Sequence, residues 1–530
     1  MKKQSLLTPI VISATLAVGI FIGGKLHFSD SPEQFFATNS SKDKLNRLID
    51  YIDYEYVDPV NADSIVDVTV NTILEQLDPH SVYIPKSEMA EVTETMRGDF
   101  VGIGIQFYPY KDTVAVIKTI KGGPSELAGI LPGDRILMAD KDTLYGKYLK
   151  NNNNIMELLK GEENTPVSLQ VYRKNTNKTM TLTLRRGVIP KKSITATYML
   201  TDALGYMQLD RFSETSFVEF TTALNTLQQQ GAKRLVLDLR DNPGGYVGVA
   251  EQIADAFLGK DKVIVMTKNK HGEINTTYAT DKGVFENKEV YVLLNERSAS
   301  ASEIVAGALQ DNDVGTIVGR RSFGKGLVQR EMALGDGSAV RLTVSRYYTP
   351  TGRSIQRPYE NGNDAYFEGF AERFYSGELQ SRDSIKVADS LKYTTPKGKV
   401  VYGGGGIIPD VFVPIGTDDS IVLQRLNAGG IFSYYAFEHL DVNRSNFNGY
   451  SKADFIANYK VDDIMYEDFM GYLRRSNINI PNVYEAPIKQ FVKAALGAQL
   501  FGDDVGAKLS SGEDTMLKKI MELEIARNLE

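Results

Sequence analysis

Leu235-Val236-Leu237-Asp238-Leu239 is the stretch that most narrows what this chain can become. A nearly unbroken apolar run of strand length belongs to a parallel strand buried on both faces. It leads into Asp241-Asn242-Pro243-Gly244-Gly245, which is dense turn chemistry. Val249, Ile253 and Phe257 then recur every four residues, as one face of a helix does. Further strands are predicted at Val263 to Met266, Val290 to Leu294 and Thr316 to Val318, with a helix from Ser300 to Gln310. Strands alternating with helices argue for a βαβ-type, largely parallel sheet. Beyond it Val340, Leu342 and Val344 alternate with Arg341, Thr343 and Ser345 as an antiparallel strand.

The period differs upstream. Val101, Ile103, Ile105 and Phe107 alternate with Gly102, Gly104 and Gln106, which predicts one strand with an unusually open backbone at its start. Strands at Val114 to Ile117, Arg135 to Met138 and Val167 to Arg173 follow. Two short helices are predicted between them, Ser125 to Ala128 and Ile155 to Lys160, each ended by glycine. Short strands with two helices read as a small module set between larger parts. Leu45, Leu48, Ile49 and Ile52 are spaced for a helix, a pattern that Ile65 to Leu77 continues until Asp78-Pro79 breaks it. Gly403 to Gly406 before Pro409 reads as a domain edge. The chain from Tyr434 onward is expected to be mostly helical and to serve assembly.

At 530 residues the chain exceeds one core, so several domains are expected. A net charge of −7 without a long basic run gives no support for a nucleic-acid partner. The absence of cysteine excludes disulfides, thiolate nucleophiles and Cys-based zinc sites. The four histidines, His27, His80, His271 and His439, form no H-E-x-x-H and no close pair, which argues against ordinary metal catalysis. Lys2 and Lys3 precede an uncharged run from Leu6 to Gly24, closed by Lys25. A bilayer span needs about 20 apolar residues, and no A-x-A cleavage site follows this run. An uncleaved single-pass anchor is therefore expected, a cleaved signal being the alternative. Either way the lysines stay inside and the remaining chain is exported.

Ser300 with Glu303 fits the S-x-x-E capping box that opens a helix. A serine there also faces unpaired N–H groups able to stabilise an oxyanion, so capping and catalysis are compatible. Lys325 sits between Gly324 and Gly326 in Ser322-Phe323-Gly324-Lys325-Gly326-Leu327-Val328-Gln329; taken alone it is a loop-tip lysine.

Together these segments resemble the carboxyl-terminal processing, or tail-specific, serine proteases. That family carries S-A-S-A-S-E, here Ser298 to Glu303, and F-G-K-G-x-V-Q, here Phe323 to Gln329. It also carries a D-L-R-x-N-P-G-G turn, here Asp238 to Gly245, and a later Gly-rich signature, here Gly404 to Asp410. The resemblance runs from about Leu45 to Val413 and implies Ser300 as nucleophile, Lys325 as general base and Gln329 as the residue orienting the lysine. Gly244, Gly245 and Ala301 would supply the oxyanion hole. The small module would be a PDZ domain whose Val101, Gly102, Ile103, Gly104 and Ile105 hold a substrate's C-terminal carboxylate. No cofactor or metal is called for.

The fold expected from the resemblance is a multidomain α/β and α+β chain: a crotonase-like α/β protease core, an inserted PDZ domain, an N-terminal membrane helix and a helical C-terminal region. The expected limits are 1–28 for the signal-anchor, 29–86 for an N-terminal helical region, 87–187 for the PDZ domain, 188–415 for the core and 416–530 for the helical region. The implied activity is serine endopeptidase cleavage of exported proteins near their C-termini. The enzyme would sit in a bacterial cell membrane with its catalytic part on the periplasmic or extracytoplasmic side. Protein or peptide substrates are the expected partners, with a homo-oligomer or an activating adaptor left open. A non-catalytic anchored PDZ scaffold is the alternative, and a crotonase-type acyl-CoA enzyme is a second.

Overall fold

The computed structural model describes Thr15 and residues 41–149, 152–416, 418–480 and 484–529. Apart from Thr15, the expected anchor lies outside the described residues. Among those residues no helix is long and apolar enough to cross a membrane.

The chain divides into two compact units, Met1–Thr72 and Ile73–Glu530. The first holds α1 (Ser41–Glu55) and most of α2 (Ala62–Glu75), the two helices expected from periodicity.

The second unit opens with β1 (Val82–Ile84), α3 (Lys86–Arg97) and β2 (Asp99–Gly102). The strand predicted through Val101 to Phe107 is broken: β2 ends at Gly102, and β3 (Ile105–Tyr110) starts after Gly104, whose φ of +76° turns the chain. A pure alternation count misses this, because glycine takes a left-handed turn without steric cost. β3 lies at the edge of a sheet with β4 (Thr113–Thr119), β5 (Arg135–Ala139), the short β6 (Asp142–Thr143), β7 (Pro166–Arg173) and β8 (Lys178–Arg185). The helices α4 (Pro124–Leu127) and α5 (Asn152–Leu159) complete this module, whose core includes Ile103, Val114, Ile136, Ile155 and Leu169. β9 (Gly187–Pro190) pairs antiparallel with β2, so both chain connections leave as one ribbon.

The central sheet runs β10 (Ile194–Met199), β11 (Leu204–Leu209), β12 (Arg234–Asp238), β15 (Val290–Leu294), β16 (Gly315–Gly319), β21 (Val411–Phe412). Every pairing in it is parallel except β10–β11. Leu235 and Leu237 join one core with α6 (Ser216–Gln229), α7 (Val247–Asp255) and α8 (Ala301–Asp311), while Val236 faces the other side among Tyr206, Tyr291, Leu293 and Ile520. Burial on both faces is what the apolar run required.

The strand predicted at Val263 to Met266 forms, as β13 (Val263–Asn269), but in a second, antiparallel sheet with β14 (Ile274–Tyr278), β17 (Leu327–Ala333), β18 (Ala339–Tyr348) and β1. Its long-range partner, β18, cannot be read from a local pattern. After α9 (Asn363–Glu372) and the hairpin β19 (Lys392–Thr394) and β20 (Val400–Tyr402), the chain is helical: α10 (Asp418–Ala428), α11 (Ile431–Asn443), α12 (Lys452–Asn458), α13 (Asp463–Arg475), α14 (Glu485–Phe501), α15 (Asp503–Ser510) and α16 (Thr515–Leu529). Helices α10 to α15 have their own core around Phe432, Phe455, Phe469, Ile488 and Leu496.

Candidate active site

Neighbouring parallel strands β12 and β15 send their following turns to the same end of the sheet, the carboxyl end where α/β folds place their sites. The two turns are bound together. Asn295 Oδ1 accepts from the Asp241 N–H at 3.0 Å, and the Asn242 carbonyl accepts from the Ala299 N–H and the Ser302 hydroxyl, each at 3.0 Å. Ser298 Oγ donates to the Leu239 carbonyl at 2.8 Å. Ser298 and Ser302 are fully buried and their hydroxyls are spent on carbonyls, whereas Ser300 between them is only partly buried. The resemblance implies Ser300 over Ser298 and Ser302; the tertiary contacts separate it from its neighbours independently.

Ser300 is the N-cap of α8 and stands at φ 55°, ψ −113°. A non-glycine residue with positive φ carries backbone strain that surrounding contacts must hold. Gly244 makes room for it: a Cβ there would lie 2.8 Å from Ser300 Cβ and 2.9 Å from Ala301 N. A side chain on Gly245 would collide with the Phe212 carbonyl. Gly244 spends its N–H on Asn242 Oδ1 at 2.8 Å. The N–H groups of Gly245 and Ala301 have no hydrogen-bond partner among the described residues. The three expected oxyanion-hole residues thus meet at Ser300, two of them with backbone donors to spare.

Lys325 lies on the loop between β16 and β17. Its Nζ donates to Gln329 Oε1 at 2.9 Å, and among the described residues that is its hydrogen-bond partner, not Ser300. Burial pushes the amine down to about 8, helped by Arg341 and opposed by Asp78 and Glu303. Desolvation disfavours the charged form of a lysine, so about a tenth of the amine is neutral at pH 7, against well under a thousandth for an ordinary lysine. Gln329 in turn donates through Nε2 to the His80 carbonyl. The His80 turn is pinned by Asp78, whose Oδ1 accepts from the His80 and Ser81 N–H groups at 2.9 Å each. The imidazole itself contacts the Tyr366 hydroxyl at 2.9 Å, and burial, with Lys325 nearby, pushes it down to about 4. His80 therefore acts on the lysine through its backbone, while its ring is engaged elsewhere.

Glu303 was legible in the sequence only as the capping-box acid. It does accept from the Ser300 N–H, at 2.8 Å through Oε2. The same Oε2 accepts from the Lys325 N–H at 2.9 Å, and Oε1 accepts from the Gly324 N–H at 2.7 Å and the Ser322 hydroxyl at 2.5 Å. One fully buried carboxylate thus ties the Ser300 turn to the Lys325 loop. Burial pushes it up to about 7, against these four donors. The Gly-rich tract, read as a domain edge, also belongs here. The Ile407 N–H donates to Ser322 Oγ at 2.6 Å, and a Cβ on Gly324 would lie 3.0 Å from the Gly405 carbonyl carbon.

The PDZ residues form a separate site. Ile103 is buried in the module's core, and the N–H groups of Ile103 and Gly104 have no hydrogen-bond partner among the described residues. Beside them β3 has β4 as its one strand partner among the described residues, at the edge of the sheet.

The model of peptidase family S41 matches residues 203–361, and that of the PDZ domain matches residues 101–184. Residues 422–502 match a family of unknown function, DUF8443. The carboxy-terminal-processing protease of Bartonella bacilliformis is 33% identical over 348 residues, 64% of this chain and 78% of that protein. The carboxy-terminal processing protease CtpA of Bacillus subtilis is 33% identical over 362 residues, 67% of this chain and 76% of that protein. CtpB of the same organism is 28% identical over 402 residues, 73% and 82% of the respective chains. The chain belongs to peptidase family S41 and is a serine-type carboxy-terminal processing protease with a PDZ domain.

Proposed function

We propose that this enzyme cleaves exported proteins near their C-termini with a Ser300–Lys325 dyad and an acyl-enzyme intermediate. The observation that carries the reading is the partly buried Lys325 amine, depressed to about 8 and held by Gln329, on a loop that Glu303 joins to Ser300. Ser300 Oγ attacks the scissile carbonyl carbon and its proton passes to Lys325 Nζ. The N–H groups of Gly245 and Ala301 receive the oxyanion. The C–N bond breaks as Lys325 returns the proton to the departing amine. Water, deprotonated by Lys325, then attacks the ester carbon, and Ser300 regains its proton as the acid leaves.

The PDZ domain holds the substrate's terminal carboxylate at the Ile103 and Gly104 N–H groups while the peptide adds to the sheet edge at β3. Recognition of the terminus is then separate from the chemistry. Amidating the C-terminus of a substrate peptide is expected to raise KM with little change in kcat. A bulky residue at Gly104 should do the same, because φ is +76° there and a Cβ would lie 2.9 Å from Ile189 Cδ1. Unchanged KM for the amidated peptide would remove carboxylate recognition from the mechanism.

The uncharged run from Leu6 to Gly24 is proposed as a retained single-pass anchor, with the catalytic part outside the cytoplasm. Intact-mass measurement of the native protein checks this, since a mature chain beginning after Lys25 refutes it. Terminal proteomics comparing the parent strain with Ser300→Ala tests the activity. New C-termini that vanish in the variant are expected. Identical termini, with no labelling of Ser300 by a fluorophosphonate, would instead leave a non-catalytic PDZ scaffold.

A further inference from the structure

The outer face of the PDZ sheet is covered by the helical region that matches only a family of unknown function. Tyr108 and Tyr110 of β3 pack on α11: ring centroids lie 5.5 Å (Tyr108–Phe437), 5.2 Å (Tyr110–Phe437) and 5.2 Å (Tyr108–Tyr434) apart. Ala115 and Ile117 of β4 complete this apolar cluster, in which Phe437 is 2% exposed. An ion pair seals its side. Arg135 Nη2 meets Asp441 Oδ1 at 2.8 Å, with side chains only 10% and 4% exposed, and Lys174 reaches the same carboxylate at 3.2 Å. A second link, Lys118 to Asp503 at 2.8 Å, joins β4 to α15.

The other end of the helical region is fixed to the protease core. Met516, Leu517 and Ile520 of α16 pack on the central sheet against Tyr206, Val236 and Tyr291. Glu524 pairs with Arg234 at 2.6 Å and accepts from the Tyr291 hydroxyl at 2.9 Å. Asp514 meets Arg240 of the Asp238–Gly245 turn at 2.7 Å. Among the described residues the direct connection between PDZ domain and core is slight by comparison: the β2–β9 ribbon, and α3, whose Met96 carbonyl accepts from the Glu214 N–H of the core at 3.0 Å and whose Glu94 meets Lys160 in a partly exposed pair. Domains joined that way swing unless a large apolar interface prevents it.

We propose that the helical region from α11 to α16 is a bracket that holds the PDZ domain at one orientation to the protease core, with α11 as its dock on the β3–β4–β5 face. The dock takes the outer face of β3 and not its edge, so a peptide can add to a strand whose position is already set. A pre-set site loses less freedom when it binds than one that must first be brought into place.

The test needs no catalysis, so it stands apart from the dyad. The chain has no cysteine, and the exposed Lys141 and Lys260 sit on the PDZ domain and the core. Spin labels on Lys141→Cys and Lys260→Cys in the full chain report the separation by double electron–electron resonance. One narrow distance distribution is expected in the parent. Phe437→Glu should widen it about twofold or more, and the milder Asp441→Ala should widen it less. Circular dichroism identifies the folded variants, and Asp441→Ala decides if Phe437→Glu does not fold. A broad parent distribution, or an unchanged width in every folded variant, overturns the bracket.

Discussion

Replacing Lys325 with arginine is expected to slow acylation of Ser300 by roughly a thousandfold while leaving the fold intact. A general base must be neutral, and a guanidinium keeps its proton at any workable pH. In the parent, burial holds the amine at about 8. The acylation rate should therefore climb about tenfold per pH unit below that value and level off above it. A solvent-exposed lysine would titrate near 10.4 instead. The same depression makes the charged amine a cost to the fold. The folded amine loses its proton at about 8 and the unfolded one near 10.5, so charging it opposes folding. That cost is absent above the unfolded value and grows as pH falls, reaching about 3 kcal/mol below the folded value. Lys325→Met should thus be inactive yet more stable at pH 7, with the gain shrinking as pH approaches 10.5. Urea titrations at the two pH values check this. Substantial activity in folded Lys325→Arg would rule out the dyad, and His80 is then a poor replacement, since its ring is engaged by Tyr366.

Glu303→Gln is expected to cost both stability and rate. The carboxylate accepts from Ser300, Ser322, Gly324 and Lys325 in a fully buried setting. An amide offers one acceptor oxygen, and its NH2 faces groups that are themselves donors. Two donors are left unpaired, which costs about 2–6 kcal/mol in total at the usual penalty of about 1–3 kcal/mol each. The Ser300 turn and the Lys325 loop then lose their common tie, and a misplacement near 1 Å is worth roughly a hundredfold in rate. A purely structural role would leave the pH profile in place. Here the profile should move, because the Glu303 charge raises the Lys325 amine and its removal lets that amine fall below about 8. The acid limb of the residual activity should therefore shift to lower pH. A stable, fully active Glu303→Gln with an unmoved profile would show that the carboxylate positions nothing.

Much of this protein was legible in its residues, and the reasons are particular. The run from Leu235 to Leu239 demanded a strand covered on both sides, and its alternate residues do enter two different cores. Ser300 and Lys325 could be singled out only through the motifs shared with the tail-specific proteases, since taken alone they read as a helix cap and a loop-tip lysine. The break at Gly104 was harder, since glycine fits both the alternation of a strand and the turn that ends one.

Other features depend on partners distant in sequence and on groups every residue shares, and these emerge only in the folded chain. β13 has the pattern of any strand, and only its pairing with β18 assigns it to the antiparallel sheet. The support for Gln329 is the His80 carbonyl, a backbone group that no motif can encode. Glu303 reads as a helix cap because Ser300 lies three residues before it; its other donors arrive on the Ser322–Lys325 loop, which folding alone brings to it. Local sequence motifs mark which residues are candidates for the reaction. Long-range packing, which satisfies buried polar groups wherever the chain happens to return, sets what holds those side chains in place.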